Sequence, residues 1–300
     1  MTTCLDGAFG LTFRLILMAK TILFLMASLV PISFGFCASL PDDPRTLPAM
    51  IITDAGTGSG CFAHLSNSVY LVTVKHVLFA PAEGTNAPLL LSPSAIIKTH
   101  SLAGTTNITE RTLVLGLSQL MAAGEIRYST NRDIAVVRVE DCDPTNFNRV
   151  KFLPGVAWLS HETGLHIFDA ELICPISEVD IGAEVFMFGY PTSLTAQLAG
   201  LFDPTEPLLR KGIVAGINLP KKVIIIDCPA YFGNSGGPVL QVEHRSLTET
   251  KFRLIGLVSS FIPFQEEWEN KTMRYSHVLK SNSGYTVIEP IDIALDLVWK

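Results

Sequence analysis

Charge is scarce in this chain. Only 17% of its 300 residues are Asp, Glu, Lys or Arg, and 22 basic against 28 acidic side chains leave a formal net charge of −6. No Lys/Arg cluster is longer than the pairs Arg210-Lys211 and Lys221-Lys222. Nucleic acid as a partner is thereby excluded, since phosphate contacts need a basic footprint. Disorder is excluded from the other side. Hydrophobic residues make up 48%, ample apolar surface to offset the entropy of ordering. Cysteine is also sparse, with six in all, so the core and not a disulfide framework must supply stability. Helical periodicity is rare, and there is no internal repeat and no low-complexity tract. A metal site finds little support. In His161-Glu162-Thr163-Gly164-Leu165-His166 the histidines are five apart, whereas i, i+4 puts two on one helix face, and Gly164 weakens a helix. No cofactor is implied.

What is present begins with an uncharged run, Thr21 to Ala38, with Arg14 and Lys20 upstream of it. A basic flank, an apolar run and small residues at its end compose a secretory signal peptide, with cleavage expected near Ala38 or Ser39. Met18-Ala19-Lys20 followed by that run is an ordinary signal by itself, so Met18 is the expected true start. Two alternatives stay open: retention as a membrane anchor, because 18 residues just span a bilayer, and lipidation at Cys37. Each places the rest of the chain outside the cytoplasm, periplasmic, secreted or membrane-anchored. Without Cys4 and Cys37 four cysteines remain, Cys61, Cys142, Cys174 and Cys228. They allow three pairings or free buried thiols.

Past residue 40 the apolar residues come in short β-rich runs cut by Gly, Pro, Asn and Asp. Examples are Ser68 to Val74, Ile134 to Val139, Glu184 to Phe188, Gly212 to Ile217, Val223 to Asp227 and Phe252 to Ser259. Many short strands separated by turn signals predict barrels or a sandwich and not βαβ units. Helix is expected over Thr112 to Ala123 and over Ile291 to Trp299, after Pro290. The irregular stretch from Pro144 to Asp180 divides the β-rich material, so two barrels are expected, over 40–150 and 181–289. Residues 151–180 connect them, 1–39 precede them and a helix over 290–300 follows.

The most informative segment is Gly233-Asn234-Ser235-Gly236-Gly237-Pro238. Three glycines around one serine permit a backbone that exposes a hydroxyl while aiming N–H groups at one point. An acyl-transfer nucleophile needs both. A Gly-rich β-turn would explain the segment alone, but three others accompany it: Thr73-Val74-Lys75-His76 at a strand end, Arg132-Asp133-Ile134-Ala135-Val136-Val137, and Gly56-Thr57-Gly58-Ser59-Gly60. The order is His, Asp, Ser, with separations of 57 (133 − 76) and 102 (235 − 133).

These segments, in this order, resemble the trypsin-like serine peptidases of chymotrypsin fold, most closely the bacterial HtrA-type branch. Gly182 to Pro191 is similar to the family's strand opening the second barrel, and the resemblance runs from about residue 50 to 262. It implies an all-β fold of two six-stranded antiparallel β-barrels with a short C-terminal helix. It implies a serine endopeptidase acting on protein or peptide substrates, with Ser235 as nucleophile, His76 as general base and Asp133 orienting the imidazole. The N–H groups of Gly233 and Ser235 would form the oxyanion hole. Ser259 falls where the family places a serine beside the aspartate. Pro229, Ser259 and Phe261 are the expected substrate-pocket residues, and without a pocket charge small or medium apolar side chains should be preferred. The rival reading is a catalytically silent module of the same fold, for binding or chaperone-like work.

Departures from the family pattern carry expectations too. Asn234 stands where zymogen-type relatives have an aspartate that needs an ammonium partner, so no activating clip is expected. Val77 replaces the cysteine that digestive relatives place after the histidine. Only 65 residues (300 − 235) follow Ser235, too few for the PDZ domain that HtrA-type proteases often append. Asn107-Ile108-Thr109 and Asn270-Lys271-Thr272 match glycosylation sequons, and Gln265 to Asn270 reads as a solvated acidic loop.

Overall fold

The β-rich runs become strands in the computed structural model, which describes residues 44–81, 88–103, 107–142, 150–159, 165–194, 200–244, 250–270 and 272–298. The N-terminal apolar segment with Cys4 and Cys37, and His161 to Gly164, lie outside the described residues. Among the described residues no helix is long and apolar enough to cross a membrane.

The first half contains β1 (Ala49–Thr53), β2 (Gly56–Leu65), β3 (Ser68–Thr73), β4 (Ala95–Ala103), β5 (Asn107–Leu115), β6 (Ile126–Tyr128), β7 (Ala135–Cys142), β8 (Val150–Phe152), β9 (Val156–Trp158) and β10 (Ile167–Phe168). The second contains β11 (Glu184–Gly189), β12 (Leu208–Asn218), β13 (Val223–Asp227), β14 (Pro238–His244), β15 (Thr250–Asn270) and β16 (Tyr275–Pro290). Among the described residues three short α-helices accompany them: α1 (Lys75–Leu78), α2 (Leu117–Ala122) and α3 (Asp292–Val298). The second half is the expected closed six-stranded barrel, ordered β11-β12-β13-β16-β15-β14. The first half differs from the simple six-stranded expectation. It is a ten-stranded sheet ordered β6-β7-β3-β2-β1-β4-β5-β9, with β8 on β7 and the parallel β10 on β2. All three short strands come from the irregular stretch: β9 ends the row beside β5, while β8 and β10 pair with strands inside it.

Each half closes over its own apolar core. Ile51, Phe62, Leu71, Ile97, Leu113 and Val137 fill the first; Val185, Met187, Val214, Ile224, Ile226 and Ile288 fill the second. Both sets are rich in β-branched side chains, which pack well on pleated surfaces. Two expectations need correction. Thr112 to Leu115 belongs to β5, so the helix there is only Leu117–Ala122. Gln265 to Asn270 is no loop, because it pairs residue by residue with Tyr275 to Lys280 as the outer part of a hairpin.

Candidate active site

Strand β3 is buried at all six positions and gives way at Val74 to the single turn α1, which buries Leu78 while turning His76 outward. Gly58 makes room for that turn. A Cβ there would lie 2.6 Å from a Val77 methyl, so a side chain would push α1 off β2. Asp133 sits just ahead of β7, in the turn that follows β6. Lys75 Nζ donates to Ser129 O at 2.9 Å, fastening α1 to that turn.

His76 and Asp133 meet at two points. The His76 Nδ1 and Asp133 Oδ2 atoms are 2.7 Å apart, and the His76 backbone N–H donates to Asp133 Oδ1 at 3.1 Å. From the second barrel, Ser259 Oγ donates to Asp133 Oδ2 at 2.8 Å. Burial pushes the Asp133 carboxyl up, but the His76 imidazole, the Ser259 hydroxyl and the His76 N–H together hold it below its usual value. Asp133 is therefore an anion at neutral pH. Facing that anion, the imidazole carries a proton on Nδ1 and directs Nε2 away from Asp133.

Ser235 lies on a turn that only glycine permits. Gly233 and Gly236 have φ of 97° and 85°. A Cβ at Gly233 would sit 2.1 Å from Tyr190 O, one at Gly236 2.0 Å from Ser59 O, and one at Gly237 2.0 Å from Phe188 O. The turn is thus clamped between β2 and the end of β11. Ser59 supplies the clamp from the first half: its N–H donates to Ser235 O at 2.7 Å and its Oγ to Gly233 O at 2.7 Å. Asn234 is buried, with Oδ1 accepting the Tyr231 N–H at 3.0 Å, a neutral bond that calls for no cation. Neither the Gly233 nor the Ser235 N–H donates to a backbone carbonyl among the described residues. The Phe232 carbonyl faces Ser193, whose N–H and Oγ both donate to it at 3.4 Å. Because a trans peptide points its C=O and N–H in opposite directions, the Gly233 N–H faces away from Ser193.

Ser235 Oγ donates to Ser259 O at 3.5 Å, a long bond that holds the hydroxyl loosely. Ser259 thus touches both Ser235, through its carbonyl, and Asp133, through its hydroxyl. Of the other expected pocket residues, Phe261 packs edge-on against Phe232 at 6.0 Å, beside the serine turn. Pro229 follows β13 and is partly buried. Asp227 is exposed at the end of β13. No cluster of three or more metal-ligating side chains occurs among the described residues.

The sequence model of the family described as trypsin-like peptidase domain matches residues 58–247, more than half of the chain and the whole span from Gly58 past the serine turn. The chain belongs to the trypsin-like peptidases. Among solved structures it is similar to the HtrA-type protease AlgW with a tripeptide, at 14% identity and a TM-score of 0.42. The match covers 85% of this chain and 60% of that one, so this peptidase spans well under two thirds of AlgW. It is also similar to the protease Anisep from Arthrobacter nicotinovorans, at 15% identity, TM-score 0.42, covering 82% and 90%. A human pathogenic astrovirus serine protease matches at 14% identity, TM-score 0.35, covering 81% and 90%. No curated protein matches the chain in sequence.

Two residues of this peptidase escaped the reading of the sequence as site residues. Ser59 was visible only as part of a glycine-rich segment, and nothing in its neighbours announces a hydroxyl aimed 174 positions along the chain. Arg132 precedes Asp133 in the same segment, and nothing local there announces a partner on β16.

Proposed function

We propose that this trypsin-like peptidase is an exported serine endopeptidase using Ser235, His76 and Asp133. Ser235 Oγ attacks the carbonyl carbon of the scissile bond while His76 Nε2 takes its proton. The C–N bond then breaks as His76 returns that proton to the leaving amine, giving an acyl-enzyme. Water, deprotonated by the same imidazole, releases the acid and restores Ser235. Asp133 stabilises the imidazolium, and the Gly233 and Ser235 N–H groups receive the oxyanion. One lost donor there costs about 10²–10³ in rate. The observation that carries this reading is Asp133 at hydrogen-bond distance from both His76 and Ser259, with the Ser259 carbonyl receiving Ser235 Oγ. Ser259 is thus a partner shared by Asp133 and Ser235, which supports the roles given to the three residues.

Labelling of the purified, unclipped chain with a fluorophosphonate tests it. An adduct on Ser235 is expected, absent in Ser235→Ala, together with peptide hydrolysis. A folded chain that takes no label would instead be a binding or chaperone-like module of this fold. A chain inert until nicked would overturn the role given to Asn234. Pro229 would bring no charge to the pocket and the Phe261 ring, against Phe232, would narrow its entrance, so cleavage should follow small or medium apolar side chains such as Ala, Val or Leu. Methylene differences in such a pocket are worth only about 1–3 kcal/mol, which makes the preference broad. Cleavage strictly after Lys or Arg would assign the pocket charge to Asp227. Export by residues 1–39 is part of the proposal, and a mature N-terminus near Ser39 is its expected sign.

A further inference from the structure

The neighbour of Asp133 reaches across the molecule. Arg132 Nε and Nη2 both donate to Glu289 Oε2, at 3.0 and 2.7 Å. Nη2 also donates to Lys222 O at 2.5 Å, and Nη1 to Lys221 O. One guanidinium from the first half therefore holds a carboxylate of β16 and two carbonyls of the turn between β12 and β13. That turn has its own strain and its own tether: Lys222 has a φ of 48°, and its Nζ pairs with Asp296 of α3 at 3.1 Å. Glu289 is only 8% exposed, and its carboxylate is paired with Arg132 across the halves. Behind it, the Arg132 N–H donates to Ser129 Oγ at 3.2 Å, in the turn that Lys75 already fastens to the His76 helix.

The position of Glu289 gives the bridge its meaning. Glu289 pairs with Leu257 on β15, two residues before Ser259. The second barrel thus grips the Asp133 turn twice through the same hairpin: Ser259 Oγ on the Asp133 carboxylate, and Glu289 on the guanidinium one residue earlier. A carboxylate held across the halves by a single hydroxyl is free to pivot about that bond. Two grips one residue apart leave no such rotation. The largest influences holding the Asp133 carboxyl down are His76 and Ser259, while the Arg132 guanidinium is turned to Glu289 and the Lys221–Lys222 carbonyls.

We propose that Arg132 is a positioning residue, which with Glu289 and the Lys221–Lys222 carbonyls fixes Asp133, and through it the His76 imidazole, against the serine turn of the second barrel. The inference rests on the serine-peptidase reading above. It separates geometry from charge, because lysine keeps the charge but cannot make the forked set of bonds.

The test uses the full chain with Arg132→Lys and with the paired replacement Arg132→Met/Glu289→Met, which leaves no buried charge alone. Proton NMR of the His76 Nδ1–H reports the Asp133–His76 bond whether or not Ser235 turns over. Peptide hydrolysis reports kcat and KM separately. In both variants kcat should fall about ten- to a hundredfold, the scale of a misplaced catalytic group, with KM within about twofold. The Nδ1–H signal should weaken, while the melting temperature of the Met pair stays near that of the parent. A Met pair that keeps the parental signal and kcat would overturn the proposal and leave Arg132 a merely structural bridge. If the parent shows the His76–Asp133 proton yet neither hydrolyses peptides nor takes a fluorophosphonate, the peptidase reading fails and the clamp stands.

Discussion

At the residue scale, the roles of Asp133 and Ser259 are separable because they contribute different kinds of bond. Asp133 accepts from His76 Nδ1–H; an amide in its place would turn an NH₂ toward the ring or hold it in the other tautomer. Asp133→Asn should therefore lower kcat/KM by about 10³–10⁴ with KM little changed, measured by steady-state peptide hydrolysis. Ser259→Ala removes one of the donors holding the carboxylate and leaves His76 in place. Its cost should be smaller, about tenfold. Because the Asp133 carboxyl is held low, it stays ionised across the acid limb of the rate profile. In the parent that limb should show a single inflection. In Ser259→Ala the carboxyl moves up toward its ordinary value, so a second, more acidic inflection should appear. The serine turn was legible in the sequence because its chemistry is local: three glycines are needed wherever the backbone meets Tyr190, Ser59 and Phe188 this closely. Arg132 and Ser59 were not, because their partners lie 157 and 174 positions away and no local pattern encodes them. The cysteines were undecided for a similar reason. Cys61, Cys174 and Cys228 are free and buried, and burial pushes all three thiols up, Cys174 and Cys228 to about 11.

At the scale of elements, strands with one or two buried faces were read from their apolar runs. The run Val223 to Asp227 is β13 to the residue, and Ser68 to Thr73 is β3. The outer hairpin was missed because it has no core to bury. Beyond Pro263 the register alternates sharply: Phe264, Trp268, Tyr275 and Leu279 share one face, and Gln265, Glu267, Glu269 and Lys280 the other. Both faces are wet, with Phe264 54% and Trp268 64% exposed, so charged residues that signal a loop coexist with strand pairing. Cross-strand pairs such as Gln265 with Lys280 and Trp268 with His277 carry the arm. Barrel closure lies below it, where Asn282 Nδ2 donates to Ala230 O and Ser283 Oγ to Ile262 O. Replacing residues 264–281 with a two-residue turn should therefore leave the melting temperature within about 2–4 °C, the shift that ~1 kcal/mol produces in a domain of this size. A circular dichroism melt checks it. A chain that no longer folds cooperatively would show that the barrel depends on the arm.

For the whole molecule, the pH dependence of stability is set by carboxyl groups shifted in opposite directions. Asp133 lies below its ordinary value, and so does Glu125, chiefly through its hydrogen bonds to Arg138. Groups shifted down stabilise the native state above their unfolded values, and that stability is lost as pH falls through the folded ones. Glu140 is the counterweight. It lies on β7 at 5% exposure, and burial, with Asp141 beside it, raises it from 4.5 to about 7. Between those values the unfolded chain has lost the proton while the native chain keeps it, so stability declines as pH rises, and the penalty is constant above about 7. Stability should therefore peak in the mildly acid range, above the values of Asp133 and Glu125 and below that of Glu140. Glu140→Gln removes the ionisation while keeping the shape. Its melting temperature should match the parent near pH 4.5 and overtake it progressively up to pH 7. Above that the gain should hold at about 2–4 °C or more, since each ~1 kcal/mol recovered gives a shift of that order. Scanning calorimetry of parent and variant at pH 4.5, 6, 7 and 8.5 measures the difference. A gain equal at every pH would place the effect in packing and not in the buried charge.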